Sequence, residues 1–282
     1  MKGQLILGVI SFAFLFKIAI CNEFHRIIDG YKASEAQFPY QVYFDVLDFT
    51  NLEKSSYWSY GCGGTLVSKR IILTAAHCLD SPKISAVRIY FGALSSNETL
   101  FEPGKKRLIV KRKDIIIHED WEPHALYNDI ALIKLPIDVN FNEYIQPAKL
   151  PSPTVTYIGS EATTSGWEGS LSAEEKEPVP YLKYFNVSII SIDQCYKAMF
   201  RHSYKIYPSS YICIRQSNNS PCHGDSGGPL IVHNDTDSVL VGIVSFAAGG
   251  CTENYPTVYT RVSSYLDWIR KNAGEVLNGT ET

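Results

Sequence analysis

Past Phe16 the chain has no apolar run approaching the roughly 20 residues that a bilayer-spanning helix needs, so no membrane anchor is expected. It has no block of like charge and a formal net charge of only −3. Tight nucleic-acid binding driven by phosphate neutralisation is therefore excluded. There is no repeat of fixed period, which argues against a solenoid or propeller. No pair of cysteines has zinc-knuckle spacing, and no metal or cofactor is expected. What remains is ordinary globular material. The 282 residues are 45% apolar and 20% charged, with 19 Gly and 14 Pro, a composition that is neither disordered nor collagen-like.

The N-terminus is of another kind. Lys2 precedes the apolar run Leu5 to Phe16, and Ala19 and Cys21 put small residues at the −3 and −1 positions of a cleavage site. Residues 1–21 read as a secretory signal peptide, which places the mature protein outside the cell. Cleavage there removes Cys21 and leaves six cysteines: Cys62, Cys78, Cys195, Cys213, Cys222 and Cys251. An even set in a secreted chain implies disulfides, although sequence alone leaves their pairing open.

Short β-type runs dominate the remainder: Gln41 to Val46, Thr65 to Ser68, Val87 to Phe91, Leu108 to Lys111, Ile130 to Leu135, Tyr184 to Ile190, Val239 to Ser245 and Thr257 to Val262. Clusters of Gly, Pro, Asn and Ser separate them, the pattern of antiparallel sandwiches and barrels. Helical signals are few. Ser191 with Gln194 forms a capping box that opens a short helix to about Phe200. Ser264 is positioned to cap a short C-terminal helix carrying Tyr265, Trp268 and Ile269 on one face. An all-β fold is expected.

Three segments carry the chemistry: Thr74-Ala75-Ala76-His77-Cys78, Asn128-Asp129-Ile130-Ala131-Leu132, and Gly224-Asp225-Ser226-Gly227-Gly228-Pro229-Leu230. A serine hydroxyl is a poor nucleophile until a base takes its proton, and that base needs a third group to fix its tautomer. His77, Asp129 and Ser226 supply these functions. A histidine in a half-buried strand, or an Asp before an apolar run, is more often structural. The Gly-rich segment around Ser226 is more specific, because its glycines let backbone N–H groups approach a substrate oxygen.

Together, and in the order His, Asp, Ser, these segments resemble those of the chymotrypsin (trypsin-like) family of serine endopeptidases. The resemblance covers about residues 27–272, leaving 273–282 as a C-terminal tail. It implies two antiparallel six-stranded β-barrels with the active site between them. It implies His77 as general base, Asp129 as its orienting partner and Ser226 as nucleophile, with an oxyanion hole from the N–H groups of Gly224 and Ser226. Ser245 matches the family serine that hydrogen-bonds the aspartate, and Ser245, Phe246 and Ala247 are expected to pair with substrate backbone. The implied disulfides are Cys62–Cys78, Cys195–Cys213 and Cys222–Cys251.

Arg26-Ile27-Ile28-Asp29-Gly30 is similar to the family's activation site. Cleavage after Arg26 by a trypsin-like protease would release residues 22–26 and let the new ammonium of Ile27 pair with Asp225. The same template puts Ser220 at the floor of the primary pocket, where trypsin-like members carry Asp. With a neutral floor and a neutral Thr257 on the far wall, a Lys or Arg side chain would lose hydration without meeting a carboxylate. Ala247 and Thr257 each carry a Cβ that narrows the pocket, which favours small to medium apolar residues at P1, the residue before the scissile bond. Two variants of the reading are a chymotrypsin-like preference for Phe, Tyr or Leu, and a regulatory protease with one protein substrate. A binding homologue without catalysis is disfavoured by the intact motifs. Protein or peptide substrates, an activating protease and protein inhibitors are the expected partners, with no nucleic acid and a monomeric state. Only Glu98 and Glu102 occupy the stretch that binds calcium in some relatives, too few to expect an ion. N-x-Ser/Thr sequons at Asn97, Asn186, Asn234 and Asn278 are glycosylation candidates, and the one at Asn218 lies too near the pocket floor to be favoured.

Overall fold

The computed structural model describes residues 30–48, 58–97, 100–167, 181–200, 207, 209–215, 221, 225–247 and 255–274. The expected signal and activation segments lie outside the described residues, as do Ser220, Cys222, Gly224, Cys251 and Asn278.

Among the described residues, fourteen strands form two antiparallel sheets. In the first half these are β1 (Tyr31–Lys32), β2 (Gln41–Asp48), β3 (Trp58–Leu66), β4 (Ile71–Thr74), β5 (Ile84–Phe91), β6 (Lys106–Lys111), β7 (Ile115–Ile117) and β8 (Ala131–Lys134). The second half contributes β9 (Glu161–Gly166), β10 (Lys183–Ile190), β11 (Tyr211–Ile214), β12 (Pro229–His233), β13 (Ser238–Ala247) and β14 (Thr257–Arg261). Helices α1 (Ile192–Met199) and α2 (Leu266–Ala273) complete it.

The second-half strands run β10-β11-β14-β13-β12-β9, and β9 pairs back onto β10, closing a six-strand barrel with β1 added outside β10. Alternation makes this possible. In β10, Phe185, Val187 and Ile189 are buried while Asn186 and Ser188 are exposed, one face in and one face out. The first-half sheet runs β6-β5-β2-β3-β4-β8-β7. Its two edge strands, β6 and β7, are separated in sequence only by the turn Arg112–Asp114, so the sheet must curl on itself into a half-barrel. Each half encloses its own apolar core, one around Phe44, Leu66, Ile72 and Phe91, the other around Phe185, Leu230, Val241 and Tyr259. A third cluster cements them, with Tyr40, Tyr43 and Leu132 of the first half against Trp167, Ile243 and Trp268 of the second.

Two local expectations need correction. The strand placed at Thr65 to Ser68 is β3, which begins at Trp58 and ends at Leu66. The glycines of β3 serve close packing: a Cβ on Gly61 would lie 2.9 Å from the Phe44 carbonyl, and one on Gly64 3.0 Å from the Ile72 side chain. Ser264 does not cap the last helix. It lies within a 3₁₀ turn, Val262–Tyr265, and its hydroxyl donates to the Ser209 carbonyl. The Ser191 capping box on α1 forms as expected, with Gln194 N–H donating to Ser191 Oγ.

Candidate active site

His77 lies in the single 3₁₀ turn Ala76–Cys78 that follows β4, and Asp129 lies just before β8. Because β4 and β8 are adjacent in the sheet, with Thr74 opposite Ala131, the two side chains meet. His77 Nδ1 is 2.8 Å from Asp129 Oδ2, and the backbone N–H of His77 donates to Oδ1 at 2.9 Å. Asp129 is fully buried, and a carboxylate in that position is costly unless its lone pairs are occupied. The second half supplies the remaining partners. Ser245 Oγ, on β13, donates to Asp129 Oδ2 at 2.6 Å, and Thr260 Oγ1, on β14, donates to the Asp129 carbonyl at 2.7 Å.

This environment sets the titration of His77. Burial of the ring opposes its charged form, but the charge of Asp129, its hydrogen bond and the more distant Asp80 outweigh that effect. His77 therefore titrates above the ordinary histidine value of 6.5. The ring keeps about a quarter of its surface open.

Ser226 lies in the turn that precedes β12 and is anchored to the His77 half. Its carbonyl accepts the N–H of Gly63 at 2.9 Å, Gly228 N–H donates to the Asp225 carbonyl at 2.9 Å, and Gly227 N–H donates to Val244 at 2.9 Å. Gly227 has φ +76, where a Cβ would lie 2.2 Å from Thr74 Oγ1. That hydroxyl itself donates to Gly63 at 2.8 Å. The segments carrying His77 and Ser226 are thus fastened together through β3. Asp225 is buried, its carboxylate packed over Gly166 where a Cβ would stand 1.8 Å away.

A family model described as Trypsin matches residues 27–269. The chain belongs to the trypsin family. It is 33% identical over 248 residues to trypsin beta of Drosophila erecta and 36% identical over 254 residues to a collagenase of Hypoderma lineatum, in each case across 88% of both sequences. A solved structure of HL collagenase superposes with a TM-score of 0.71 at 34% identity, covering 88% of this chain and 98% of that one. The protein is a serine endopeptidase with the mostly β fold of that family.

The other expected residues fall as follows. Ser245 is buried and Phe246 and Ala247 are half-buried along β13. Thr257 on β14 is buried opposite Ala247, with Ile214 on its other side. Cys62–Cys78 and Cys195–Cys213 are bonded, with Cα atoms 6.1 and 6.2 Å apart. The first of these bridges braces the turn that holds His77. The third expected pair, Cys222 and Cys251, lies outside the described residues, as do Arg26, Ile27, Ser220 and the Gly224 donor. Asn186 is exposed on the outer face of the closed barrel. Asn234 closes an exposed turn by accepting from Asp237 N–H at 2.7 Å.

Among the described residues, Cys62, His77 and Cys78 form the one group with metal-ligand spacing, and its sulfurs are joined in a disulfide. Glu102 is engaged within its own loop, accepting the N–H groups of Leu94 and Ser95. No helix among the described residues is long and apolar enough to cross a membrane.

Sequence reasoning missed the role of two tyrosines. Tyr211 OH donates to the Leu126 carbonyl at 2.9 Å, and Tyr265 OH donates to Asn128 Oδ1 at 2.9 Å. Both reach from the second half to the loop that delivers Asp129. A buried tyrosine looks like core in sequence, and no signal there reveals the oxygen it meets.

Proposed function

We propose that this protein is a secreted endopeptidase, made as a zymogen, that cleaves after small to medium apolar P1 residues. The single observation that supports it most is the hydrogen-bonded chain from Ser245 through Asp129 to His77, built beside the Ser226 turn. In this reading His77 takes the proton of Ser226 Oγ as the oxygen attacks the scissile carbonyl. Asp129 holds the imidazole with Nδ1–H toward the carboxylate and stabilises the imidazolium that forms. Collapse of the tetrahedral intermediate expels the amine, which receives that proton, and water repeats the cycle on the acyl-enzyme. The N–H groups of Ser226 and Gly224 receive the oxyanion, a donor arrangement worth roughly 3 to 4 kcal/mol for each donor.

Cleavage after Arg26 supplies the switch. The freed Ile27 ammonium enters to pair with Asp225, whose burial makes a lone carboxylate costly, and the pair holds the oxyanion loop in its working shape. Pairing raises the Ile27 amine above the free value of about 7.7 to 8.0. The active form is then favoured at lower pH and lost as pH climbs through the raised value. Residues 1–21 are read as the signal peptide and 22–26 as the activation peptide. Asn97, Asn186, Asn234 and Asn278 are the glycosylation candidates.

P1 selectivity follows from the neutral floor at Ser220 and from Ala247 and Thr257, which face each other across adjacent strands. The test is to cleave the zymogen with immobilised trypsin, remove the trypsin, and assay peptides differing only in P1: Ala, Leu, Phe and Arg. Preference for Ala or Leu supports the narrowed pocket. Preference for Phe makes the enzyme chymotrypsin-like. Preference for Arg overturns the argument from Ser220. Absence of any cleavage after Ile27 has become the N-terminus overturns the peptide-cleaving assignment itself.

A further inference from the structure

We propose that a proton on His118 loosens the loop that delivers Asp129, so that acid switches the enzyme off through a group outside its catalytic residues. The link to activity rests on the proteolytic reading above, whereas the device itself is built into the fold.

His118 follows β7, and its ring meets the C-terminal elements. It stacks on the Trp268 ring of α2 at 5.0 Å between centroids and 25°, and stands edge-on to the Tyr265 ring at 5.4 Å and 83°. Another aromatic side chain could make those contacts. It could not accept a hydrogen bond in the plane of its ring, and His118 does: the backbone N–H of Asp120 donates to Nδ1 at 3.1 Å. Because the partner is an N–H, Nδ1 must carry a lone pair, which puts the proton of the neutral ring on Nε2.

Asp120 is the node of a closed circuit. Its carbonyl accepts Asn128 Nδ2 at 2.8 Å, and Asn128 Oδ1 accepts Tyr265 OH at 2.9 Å. Tyr265 returns to His118 through the ring contact. Asn128 is buried, has φ +58 and immediately precedes Asp129. On the other side of Asp129, the Ile130 carbonyl accepts the N–H of His118 at 3.1 Å. Both neighbours of the carboxylate are thus tied to the His118 turn. A second proton on the ring sets Nδ1–H against the Asp120 N–H, two donors at hydrogen-bond distance with no acceptor between them. The Asp120 peptide must then turn away, and Asn128 with it.

The charged groups around the ring act in both directions. Glu119 and Asp120, in its own turn, favour the cation, as does the indole face of Trp268. Lys271 on α2 opposes it, and the Glu119 carboxylate is already engaged by Trp268 Nε1 at 2.6 Å and Lys271 Nζ at 3.5 Å. Tyr265 stays neutral, its titration pushed up to about 12. Burial of the ring is the largest effect, and His118 titrates below the ordinary 6.5. Its contribution to stability is therefore fully present above the unfolded value and lost as pH falls through the folded one, the reverse of His77.

Two measurements test the proposal. Nitrogen NMR of the uncleaved chain reads the tautomer and midpoint of His118, identified by its contacts with the Trp268 ring. An Nε2–H tautomer with a midpoint below 6.5 is expected. An Nδ1–H tautomer, or a midpoint at 6.5 or above, overturns the proposal whether or not any peptide is cut.

The second is the pH profile of kcat/KM for the activated enzyme and for His118→Asn, whose Oδ1 can replace Nδ1 as acceptor and never charges. Below both histidine midpoints, log kcat/KM is expected to fall with a slope of about two in the unmodified enzyme, one proton each for His77 and His118, and about one in the variant. At about one pH unit below the His118 midpoint the unmodified enzyme, relative to its own plateau, is then about tenfold behind the variant. A slope of one in the unmodified enzyme, or of two in the variant, overturns the proposal. Should the variant not fold, the unmodified slope and the NMR midpoint still decide. Should no peptide be cut at any pH while tautomer and midpoint are as expected, the proteolytic reading fails alone.

Discussion

The hydroxyl of Tyr211, from the second half, donates to the Leu126 carbonyl of the first at 2.9 Å and approaches that of Ala125 at 3.3 Å. Leu126 has φ +52 and Asn128 φ +58, both in the left-handed region and neither a glycine. Such residues cost on the order of 1 to 3 kcal/mol each and persist only where their surroundings hold them. Tyr211 holds Leu126 and Tyr265 holds Asn128, three residues and one residue before the carboxylate that is bonded to His77. Burial pushes the hydroxyl of Tyr211 well above the ordinary tyrosine range and that of Tyr265 up to about 12, so both remain donors at any working pH. Removing the Tyr211 hydroxyl as Tyr211→Phe keeps the ring against Phe246, 5.7 Å between centroids. A loss of about 1 kcal/mol is expected in denaturant unfolding, together with a fall in kcat/KM. An unchanged unfolding midpoint would show that the two carbonyls find other partners at no cost.

The raised titration of His77 has a definite sign. In the proposed mechanism His77 is the general base and must be neutral, so the acid limb of kcat/KM is expected above the ordinary value of 6.5. Its contribution to folding stability runs the opposite way with pH: fully present below the unfolded value and lost as pH rises through the folded one. In Asp129→Asn the main charge that lifts His77 is gone and burial is opposed only by the more distant Asp80, which moves the limb to lower pH. The rate falls by about 10⁴-fold, because the amide favours the wrong imidazole tautomer. A pH–rate profile of the two enzymes on one peptide checks both statements. A limb that stays in place would mean that Asp129 does not set the histidine.

The parts of the fold that were legible in the sequence are those where one residue type has one common use. Alternation along Tyr184 to Ile190 and the Ser191–Gln194 capping box became β10 and α1 with little change. The Ser226 motif was legible because four Gly or Pro residues around one serine have few structural uses. β3 was misplaced because its glycines serve backbone contact in a strand interior, whereas glycine in sequence points to turns. The tyrosine clamps were not legible, because each depends on what the fold places opposite a residue. The hydroxyl of Tyr211 and the carbonyl of Leu126 are 85 residues apart in the chain.

Ser245 offers a cleaner probe of the buried carboxylate than Asp129 itself. Its hydroxyl is a donor to Oδ2, the same oxygen that faces His77 Nδ1. A hydrogen bond to a charged group is worth about 1.5 to 3 kcal/mol. Ser245→Ala is therefore expected to lower kcat/KM by about tenfold or more and to leave the disulfides and P1 order intact. Equal kcat/KM in the variant would place the whole of the carboxylate's support in the His77 N–H and in the histidine ring.

Gly227 is the residue least able to change. Its φ of +76 already disfavours a side chain, and the nearest atoms to an added Cβ are Thr74 Oγ1 at 2.2 Å and the Gly63 carbonyl at 2.6 Å. The Thr74 hydroxyl is not a flexible chain end that can swing away, since it is buried and donates to that same carbonyl. Gly227→Ala must therefore push β3 away from the Ser226 turn, breaking the Gly63–Ser226 bond that joins that turn to β3. A loss of more than about 3 kcal/mol is expected, from overpacking and backbone strain together, along with loss of labelling by a serine-directed phosphonate. Thermal unfolding measures the first and labelling the second. A variant that unfolds at the normal temperature yet fails to label would separate them, and would assign the glycine to the shape of the serine turn and not to the union of the two halves.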